Sequence, residues 1–360
     1  MSIENMKTLL CGLLLMMVGT VACKKTEHTD KIEVRTLATY LKGEKDAQLF
    51  STALQLSGLD TVFSSGGPYT LFVPADSAFI NAGFTAEKLR SLDKKTLGGM
   101  IGYLILPGRI GKSSQVGFMS DTLTSLHPRY KPVVTQNYYG AFFNGVKVTE
   151  GNISLADGVV HKTGRLPLPP AGTLMETMDA APDLKMVSYI FHRVKMLELY
   201  ASNPVAIYKM LYGNTYTTAT LVMPTDAAFK TIGYNVPSDL AGVDTLTLIK
   251  LVRYGCIYGT NFTCDFIGGR WAGGAGVPMK PGTVALNGFG MSGSGVTIVF
   301  RSYDIGKDAT FEIGKDGVSF YGAGVITPPH IIRPDIVATN GVIHVLDQLF
   351  APQGDYVYYK

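Results

Sequence analysis

Short apolar runs alternate with polar turns along this chain, and one such arrangement occurs twice. A strand-like apolar run ends in Pro and is followed by Asp and then Phe in residues 69–79, and again in residues 219–229. Pro cannot continue a ladder of strand hydrogen bonds, and Asp at a helix start accepts backbone N–H groups. Each stretch therefore predicts a strand that stops at Pro and a short helix that buries its Phe. We expect Asp76 and Asp226 to cap these helices and not to act as catalytic carboxylates.

Helical periodicity lies on both sides of each stretch. Apolar residues share one broad face over 49–56, and they recur at steps of three and four over 186–197. A second apolar helix is predicted over 97–106 after the first stretch and over 246–254 after the second. Strand-like segments follow each of these helices. The chain is therefore predicted to contain the same α+β module twice.

Each module ends in an apolar strand that carries one His. Asp157-Gly158 precedes the strand with His161, and Asn340-Gly341 precedes the strand with His344. Asp-Gly and Asn-Gly favour tight turns, and an imidazole on an apolar strand without a neighbouring Cys, nucleophile or second ligand is typical of a structural histidine. We expect both histidines to be hydrogen-bonded core residues and not catalytic or metal-binding groups.

The β-rich parts of the two modules differ in their aromatic and glycine content. The first contains a hairpin signal, in which Asn144-Gly145 joins 141–143 to 146–148. The second contains a Gly-rich insertion over 268–295 and a strand over 296–300. Trp271 stands within that insertion, where an exposed ring could stack on a sugar face or contact a protein. Further aromatic residues crowd the first hairpin, namely Tyr138, Tyr139, Phe142 and Phe143.

The N-terminus is a targeting segment. Lys7 provides positive charge, 9–18 is apolar but short for a membrane span, and Thr20-Val21-Ala22-Cys23 resembles a bacterial lipobox. That resemblance implies cleavage before Cys23 and lipidation of Cys23, which would anchor the protein to a membrane. The charged residues that follow Cys23 are compatible with an outer-membrane lipoprotein, on either the periplasmic or the surface side. The alternative is an ordinary secretory signal followed by an unrelated Cys.

These features divide the chain into consecutive segments. The predicted segments are a signal peptide over 1–22, a tether over 23–32, a first domain over 33–166, a Pro-rich linker over 167–172, a second domain over 173–352 and a tail over 353–360.

Composition narrows the functional classes. The 360 residues are 46% hydrophobic and 17% charged, which is typical of folded domains, and the net charge is +4 with scattered cations. Nucleic-acid binding is therefore not expected. Cys256 and Cys264 could form a disulfide in an oxidising compartment or lie buried as small apolar residues. Their spacing does not match a zinc site, so no metal site is predicted.

Two partial matches to catalytic or cofactor-binding motifs lack features that those motifs require. Residues 288–293 match GxGxxG, but a strand over 296–300 follows where a dinucleotide-binding loop needs a helix. Residues 290–294 lack the final Gly of a nucleophile elbow. We therefore predict no catalytic residues and no cofactor, and the chain is not expected to be an enzyme.

The repeated segments resemble the two motifs of the fasciclin domain. The first motif, Thr-x-Phe-x-Pro-x-Asp-x-Ala-Phe, is matched in the first copy by Thr70, Phe72, Pro74, Asp76, Ala78 and Phe79. In the second copy it is matched, with Val in place of Phe, by Thr220, Val222, Pro224, Asp226, Ala228 and Phe229. The second motif, Asn-Gly-x-x-His-x-x-Asp, is matched by Asn340, Gly341, His344 and Asp347. The first copy carries Asp157, Gly158, His161 and, in place of the final Asp, Gly164.

The resemblance covers about residues 33 to 352. It implies two tandem α+β domains, each a wedge of β-strands packed with helices, that act outside the cell in adhesion or ligand capture. Some animal members bind integrins through a Pro-Asp-Ile segment, which Pro334, Asp335 and Ile336 match here, with Arg333 in place of an acid. The Tyr-His pair of those members is absent, since Leu104 and Gly255 follow the corresponding tyrosines. Integrin binding is therefore not carried over to this chain.

The sequence therefore predicts a non-enzymatic, lipid-anchored envelope protein for adhesion or for capture of a glycan or protein partner. The alternative is an accessory role in an outer-membrane polysaccharide uptake system. The candidate partner-binding residues are Trp271 in the insertion and the Pro-Asp-Ile segment, which is more typical of a turn. The second domain is the expected binding domain.

Overall fold

The protein is described by a computed structural model. The structure describes residues 34–111, 119–137, 140–195, 218–252, 255–268, 297–301, 308–314, 317–321 and 329–349. The predicted signal peptide and tether, residues 269–295 of the Gly-rich insertion and the C-terminal tail lie outside these ranges.

The first domain has three helices before its first strand and three after it. Its helices are α1 Leu37–Gly43, α2 Gln48–Ser57, α3 Val62–Ser65, α4 Asp76–Asn81, α5 Ala86–Ser91 and α6 Lys94–Tyr103. A short 3-10 helix joins α2 to α3. Asp93 caps α6 by accepting the backbone N–H groups of Lys95 and Thr96 at 3.0 and 2.9 Å.

The described strands of the first domain form one sheet in the order β2-β1-β7-β6-β5-β4-β3. These strands are β1 Tyr69–Pro74, β2 Ile105–Pro107, β3 Met119–Thr122, β4 Val133–Asn137, β5 Gly140–Phe143, β6 Val146–Leu155 and β7 Gly158–Thr163. Strands β1 and β7 are parallel, and the other neighbouring pairs are antiparallel. The sheet and the helices enclose a core that includes Phe50, Phe72, Phe79 and Tyr103.

The second domain has a similar order of described elements. Its described helices are α7 Leu174–Ala180, α8 Lys185–Val194, α9 Asp226–Lys230, α10 Thr245–Val252 and α11 Thr263–Gly268. Its described strands are β8 Ala219–Pro224, β9 Cys256–Tyr258, β10 Thr297–Arg301, β11 Asp308–Gly314, β12 Gly317–Tyr321, β13 Ile331–Ala338 and β14 Gly341–Leu346. One sheet has the order β13-β14-β8-β9, and another has the order β10-β11-β12.

The two domains pair their first and last strands in the same register. In the first domain Phe72 lies opposite His161, and in the second Val222 lies opposite His344. Both pairs belong to parallel strands, so each module closes by placing its last strand beside its first. The predicted α+β fold, built twice, is confirmed.

The predicted hairpin in the first domain is confirmed. Phe142 pairs with Lys147 and Phe143 pairs with Val146. Asn144 and Gly145 have φ values of 46° and 75°, as a two-residue turn with a left-handed backbone requires.

The helix predicted over 97–106 ends at Tyr103, and residues 105–107 form β2 beside β1. A short apolar run does not reveal whether it is buried as a helix or as a strand. Here the main-chain groups of β2 complete the hydrogen bonding on the free side of β1, and this pairing ends the helix.

Candidate functional site

The second motif of each domain holds the first helix of that domain in place. The Asp157 carboxylate accepts the backbone N–H of Leu37 at 2.7 Å, and the Asn340 amide oxygen accepts that of Leu174 at 2.8 Å. Asp157 therefore caps the N-terminus of α1, and Asn340 caps the N-terminus of α7. Each Asx residue shapes a turn and also fixes the first helix against the last hairpin.

The glycines of this motif permit a close approach of two strands. A Cβ at Gly158 would collide with the carbonyl oxygen of Tyr69, and one at Gly341 would collide with that of Ala219. Gly341 also has a φ of 155°, which side-chain-bearing residues rarely adopt. The Gly of the motif is therefore a steric requirement of the parallel strand pair.

The first motif has a different capping role from the one predicted. The N-cap residues of α4 and α9 make no side-chain cap hydrogen bond. Instead, Asp76 accepts the backbone N–H of Leu49 at 2.7 Å, and Asp226 accepts that of Met186 at 2.8 Å. The prediction that each Asp caps the helix it begins is wrong, because each caps the preceding long helix, α2 or α8.

The two motif threonines hold the loop that follows the edge strand. Thr70 donates its hydroxyl to the Gly108 carbonyl and accepts the Ile110 N–H, both at 2.8 Å. Thr220 bonds Gly259 and Asn261 in the same way, at 2.6 and 2.8 Å. These loops supply the carbonyl groups that the two histidines contact.

His161 and His344 are neutral and share one tautomer. Their Nδ1 atoms accept the backbone N–H groups of Asn152 and Asp335, at 3.3 and 3.1 Å. A backbone N–H can only donate, so the proton of each ring is on Nε2. That atom donates to the carbonyl of Ile110 or Asn261, at 2.7 and 2.9 Å. Burial lowers the pKa of both histidines, which fits the expectation of hydrogen-bonded core residues.

We expect the free energy of unfolding to fall as the pH is lowered from about 6.5. The unfolded chain binds protons there, whereas the lowered pKa values of His161 and His344 keep these rings neutral in the fold. Each buried ring contributes a slope of up to about 1.4 kcal/mol per pH unit, until the pH reaches its folded pKa. Urea unfolding between pH 5 and 8, followed by circular dichroism, measures this slope.

His344→Gln should reduce that slope, and its stability above pH 7.5 serves as the control for lost packing. An unchanged slope in the variant would show that His344 takes up its proton equally in both states.

The Pro-Asp-Ile segment forms a β-bulge that both domains share. Asp335 has a φ of 61° and lies at a register shift of β13, and Asn152 has a φ of 62° at a register shift of β6. Asp and Asn tolerate this left-handed conformation better than most residues. The bulge directs the backbone N–H of each residue to its histidine. Gly151-Asn152-Ile153 is therefore the counterpart of Pro334-Asp335-Ile336 in the first domain.

The Asp335 carboxylate lies between the two domains. It accepts the N–H and the hydroxyl of Thr263 at 2.7 and 2.8 Å, and an Arg165 guanidinium N–H of the first domain at 2.6 Å. Arg165 also donates to the Pro334 carbonyl at 3.1 Å. The Asp335 side chain is 0% exposed. Its charge is therefore compensated by the neighbouring domain and by a backbone N–H.

An apolar cluster lies beside this ion pair. It consists of buried side chains from both domains, namely Phe142, Phe262, Cys264 and Val342. Asn137 of the first domain donates to the Cys264 carbonyl at 3.1 Å. The first-domain sheet and the start of α11 thus form one packed contact.

The candidate binding residues fall into two groups. Asp335 is buried, and Pro334 and Ile336 are half-buried in the same segment. Contact with an external partner through this segment remains a prediction. Trp271 and Cys23, like Tyr138 and Tyr139, lie outside the described residues.

Three residues of the domain contact were not predicted from the sequence, namely Arg165, Thr263 and Gly145. The bulge itself had a detectable signal, because Asn152 and Asp335 stand equally far before the glycines of the second motif. Arg165 carries no motif, and only the docking of the domains brings it to Asp335.

The two cysteines of the described part of the chain, Cys256 and Cys264, are buried and form no disulfide. Burial raises the pKa of Cys256 to about 12 and that of Cys264 well above its ordinary value. They behave as small apolar residues, which was one of the two alternatives. Across the described ranges, His, Cys, Asp and Glu form no cluster of three that could hold a metal ion. The helices of those ranges are too short or too polar to cross a membrane.

Comparison with known proteins identifies both modules. The fasciclin domain model matches residues 45–166 and 205–352. Human periostin is 28% identical over 182 residues, which is 48% of this chain and 21% of periostin, so the chain matches only about a fifth of that protein. A solved FAS1 domain pair from the insect cell adhesion molecule fasciclin I is 14% identical, with a TM-score of 0.34, and the match covers 86% of this chain and 97% of that one. Since the family model matches most of the chain in two successive segments, the chain belongs to the fasciclin domain family.

Proposed function

We propose that this chain is a non-enzymatic, lipid-anchored envelope protein that acts in adhesion by holding a glycan or protein partner. The observation that carries the proposal is the tandem pair of fasciclin domains, since fasciclin domains are linked to cell adhesion. The motif residues of the described region support this reading, because Asp76, Asp226, His161 and His344 are all engaged in structural hydrogen bonds.

The anchor is proposed at Cys23. Small residues precede it, an apolar segment lies upstream, and a polar tether over 24–32 follows. Several acyl chains on one cysteine hold a protein at a membrane far more firmly than a single chain does. In the sequence, the proposed anchor and its tether precede the first domain.

The partner surface is proposed at the Gly-rich insertion of the second domain. Trp271 is the only Trp of the chain, and glycines on either side of it allow a ligand to approach the backbone. An indole ring offers a flat apolar face for a sugar ring and an N–H donor for a polar group. Long insertions on a fixed scaffold are common positions for binding residues.

One experiment tests the anchor and the partner surface separately. Bacteria expressing the wild type, Cys23→Ala or Trp271→Ala are compared for membrane fractionation and for adhesion to immobilised glycans and envelope proteins. We expect the wild type to remain with the membrane and to promote adhesion. Cys23→Ala should leave the membrane fraction but bind when purified, whereas Trp271→Ala should stay anchored and bind at least tenfold more weakly.

Val236→Ala is the matched control, because it removes a half-exposed apolar side chain from the same domain. Retention of the glycan alone or of a protein alone would decide between the two partner classes. An unprocessed, membrane-bound Cys23→Ala would contradict the anchor. Failure of wild-type protein to bind any immobilised glycan or envelope protein would contradict the adhesion proposal.

A further inference from the structure

We propose that Arg165 and Asp335 form an interdomain latch that holds the two fasciclin domains as one body and that fits this pair of domains in this order. The latch is defined as these two side chains together with Thr263, which shares the Asp335 carboxylate. It goes beyond adhesion, because it concerns how the two modules are joined and not what they bind.

The burial of the carboxylate makes the latch energetically decisive. All three hydrogen bonds from Thr263 and Arg165 are made to a side chain that is 0% exposed, while the Arg165 side chain is 44% exposed. If the domains separate, Asp335 loses its cation and regains only water at the edge of the second domain. If Arg165 is removed without separation, a buried anion loses its compensating charge, which is strongly unfavourable. The charge of Asp335 is therefore compensated by Arg165 only while the two domains remain in contact.

The surfaces around the ion pair are shaped to fit each other. Gly145 lies so close to the Asp335 carboxylate that a Cβ there would collide with it. Asp335 cannot easily move aside, because its oxygen atoms are held by three donors. The apolar cluster of Phe142, Phe262, Cys264 and Val342 adds buried contact between the two domains. A glycine, a charge pair and an apolar layer thus meet at one contact.

The repeat itself indicates that the contact is particular to this pair. Strands β7 and β14 are equivalent, and counting from their glycines places Gln348 at the position of Arg165. Asn152 stands at the position of Asp335. If the two domains exchanged their roles in this contact, Gln348 and Asn152, which carry no charges, would stand opposite each other. The charged latch therefore forms only where the first domain supplies Arg165 and the second domain supplies Asp335.

Two buried cysteines allow the latch to be tested in the full chain. Cys264 lies in the contact, whereas Cys256 lies in the core of the second domain. The protein is treated with N-ethylmaleimide, and the modified peptides are quantified by mass spectrometry, so each cysteine is followed separately. We expect Arg165→Met to increase the labelling rate of Cys264 at least tenfold and to leave that of Cys256 unchanged. Asp335→Asn should have the same effect.

Arg90→Met is the matched control, because it removes an exposed arginine from the first domain away from the contact. Gly145→Ala places a Cβ against the Asp335 carboxylate from the first domain, and it should also increase the labelling rate of Cys264. Labelling of Cys264 at the wild-type rate in both Arg165→Met and Gly145→Ala would overturn the latch. An equal rise at Cys256 and Cys264 would also overturn it, since that result would assign Arg165 to the stability of the second domain.

Discussion

Replacing Gly341 with Ala is expected to lower the free energy of unfolding of the second domain by about 3 kcal/mol or more. The new Cβ would be forced onto the Ala219 carbonyl oxygen, across the parallel pair of β8 and β14. That oxygen belongs to a central strand and cannot rotate away as a flexible side chain would. The φ of 155° at this position adds backbone strain for any residue with a side chain. Urea denaturation followed by circular dichroism measures the loss.

Gly242→Ala is the control for this experiment. It lies in the same domain, and a Cβ there would meet no atom within 4 Å. Its effect should stay within about 0.5 kcal/mol of the wild type. Similar losses in the two variants would show that the second domain tolerates the Ala219 contact and would refute the steric explanation of the motif glycine.

Phe79→Ala should destabilise the first domain by about 3–5 kcal/mol. Phe79 is 0% exposed within the core between the helices and the sheet, and its truncation leaves a cavity that a close-packed interior fills only in part. The adjacent residue provides the matched control, because Ile80 is 57% exposed on the same short helix. Ile80→Ala should change the stability by less than about 0.5 kcal/mol.

The same denaturation measurement separates the two changes at neighbouring positions. Losses of equal size would mean that helix propensity on α4, and not burial of the phenyl ring, sets the effect at Phe79.

Patterns local in the sequence predicted the fold well. The repeated motifs indicated two modules, and the Asn144-Gly145 turn identified the hairpin between β5 and β6. These features succeed because turn geometry and strand alternation depend on residues close together in the chain. The same is true of His161 and His344, whose apolar neighbours predicted burial.

Features that depend on docking were not predicted from the sequence. Asp76 begins a helix and was expected to cap it, yet its acceptor oxygen meets Leu49 on the preceding helix. Helix-capping preferences predict which residue types stand at the start of a helix. They do not predict which other helix terminus lies within hydrogen-bond distance of the side chain in the fold. The role of Arg165 could not be predicted for the same reason, since its partner Asp335 lies in a β-bulge of the second domain, far along the chain.

The parallel pairing of first and last strands has a consequence for how the chain acquires its structure. In each module the strand that completes the parallel pair is synthesised last, so the first strand acquires this partner only when the far end of the domain has been made. Contacts of such long sequence separation slow folding. The first module can close once β7 has emerged, but Asp335 reaches Arg165 only when β13 of the second module has also been synthesised. Assembly of the pair is therefore expected to be the final event of folding, and incomplete chains would contain a folded first module beside an unpaired surface.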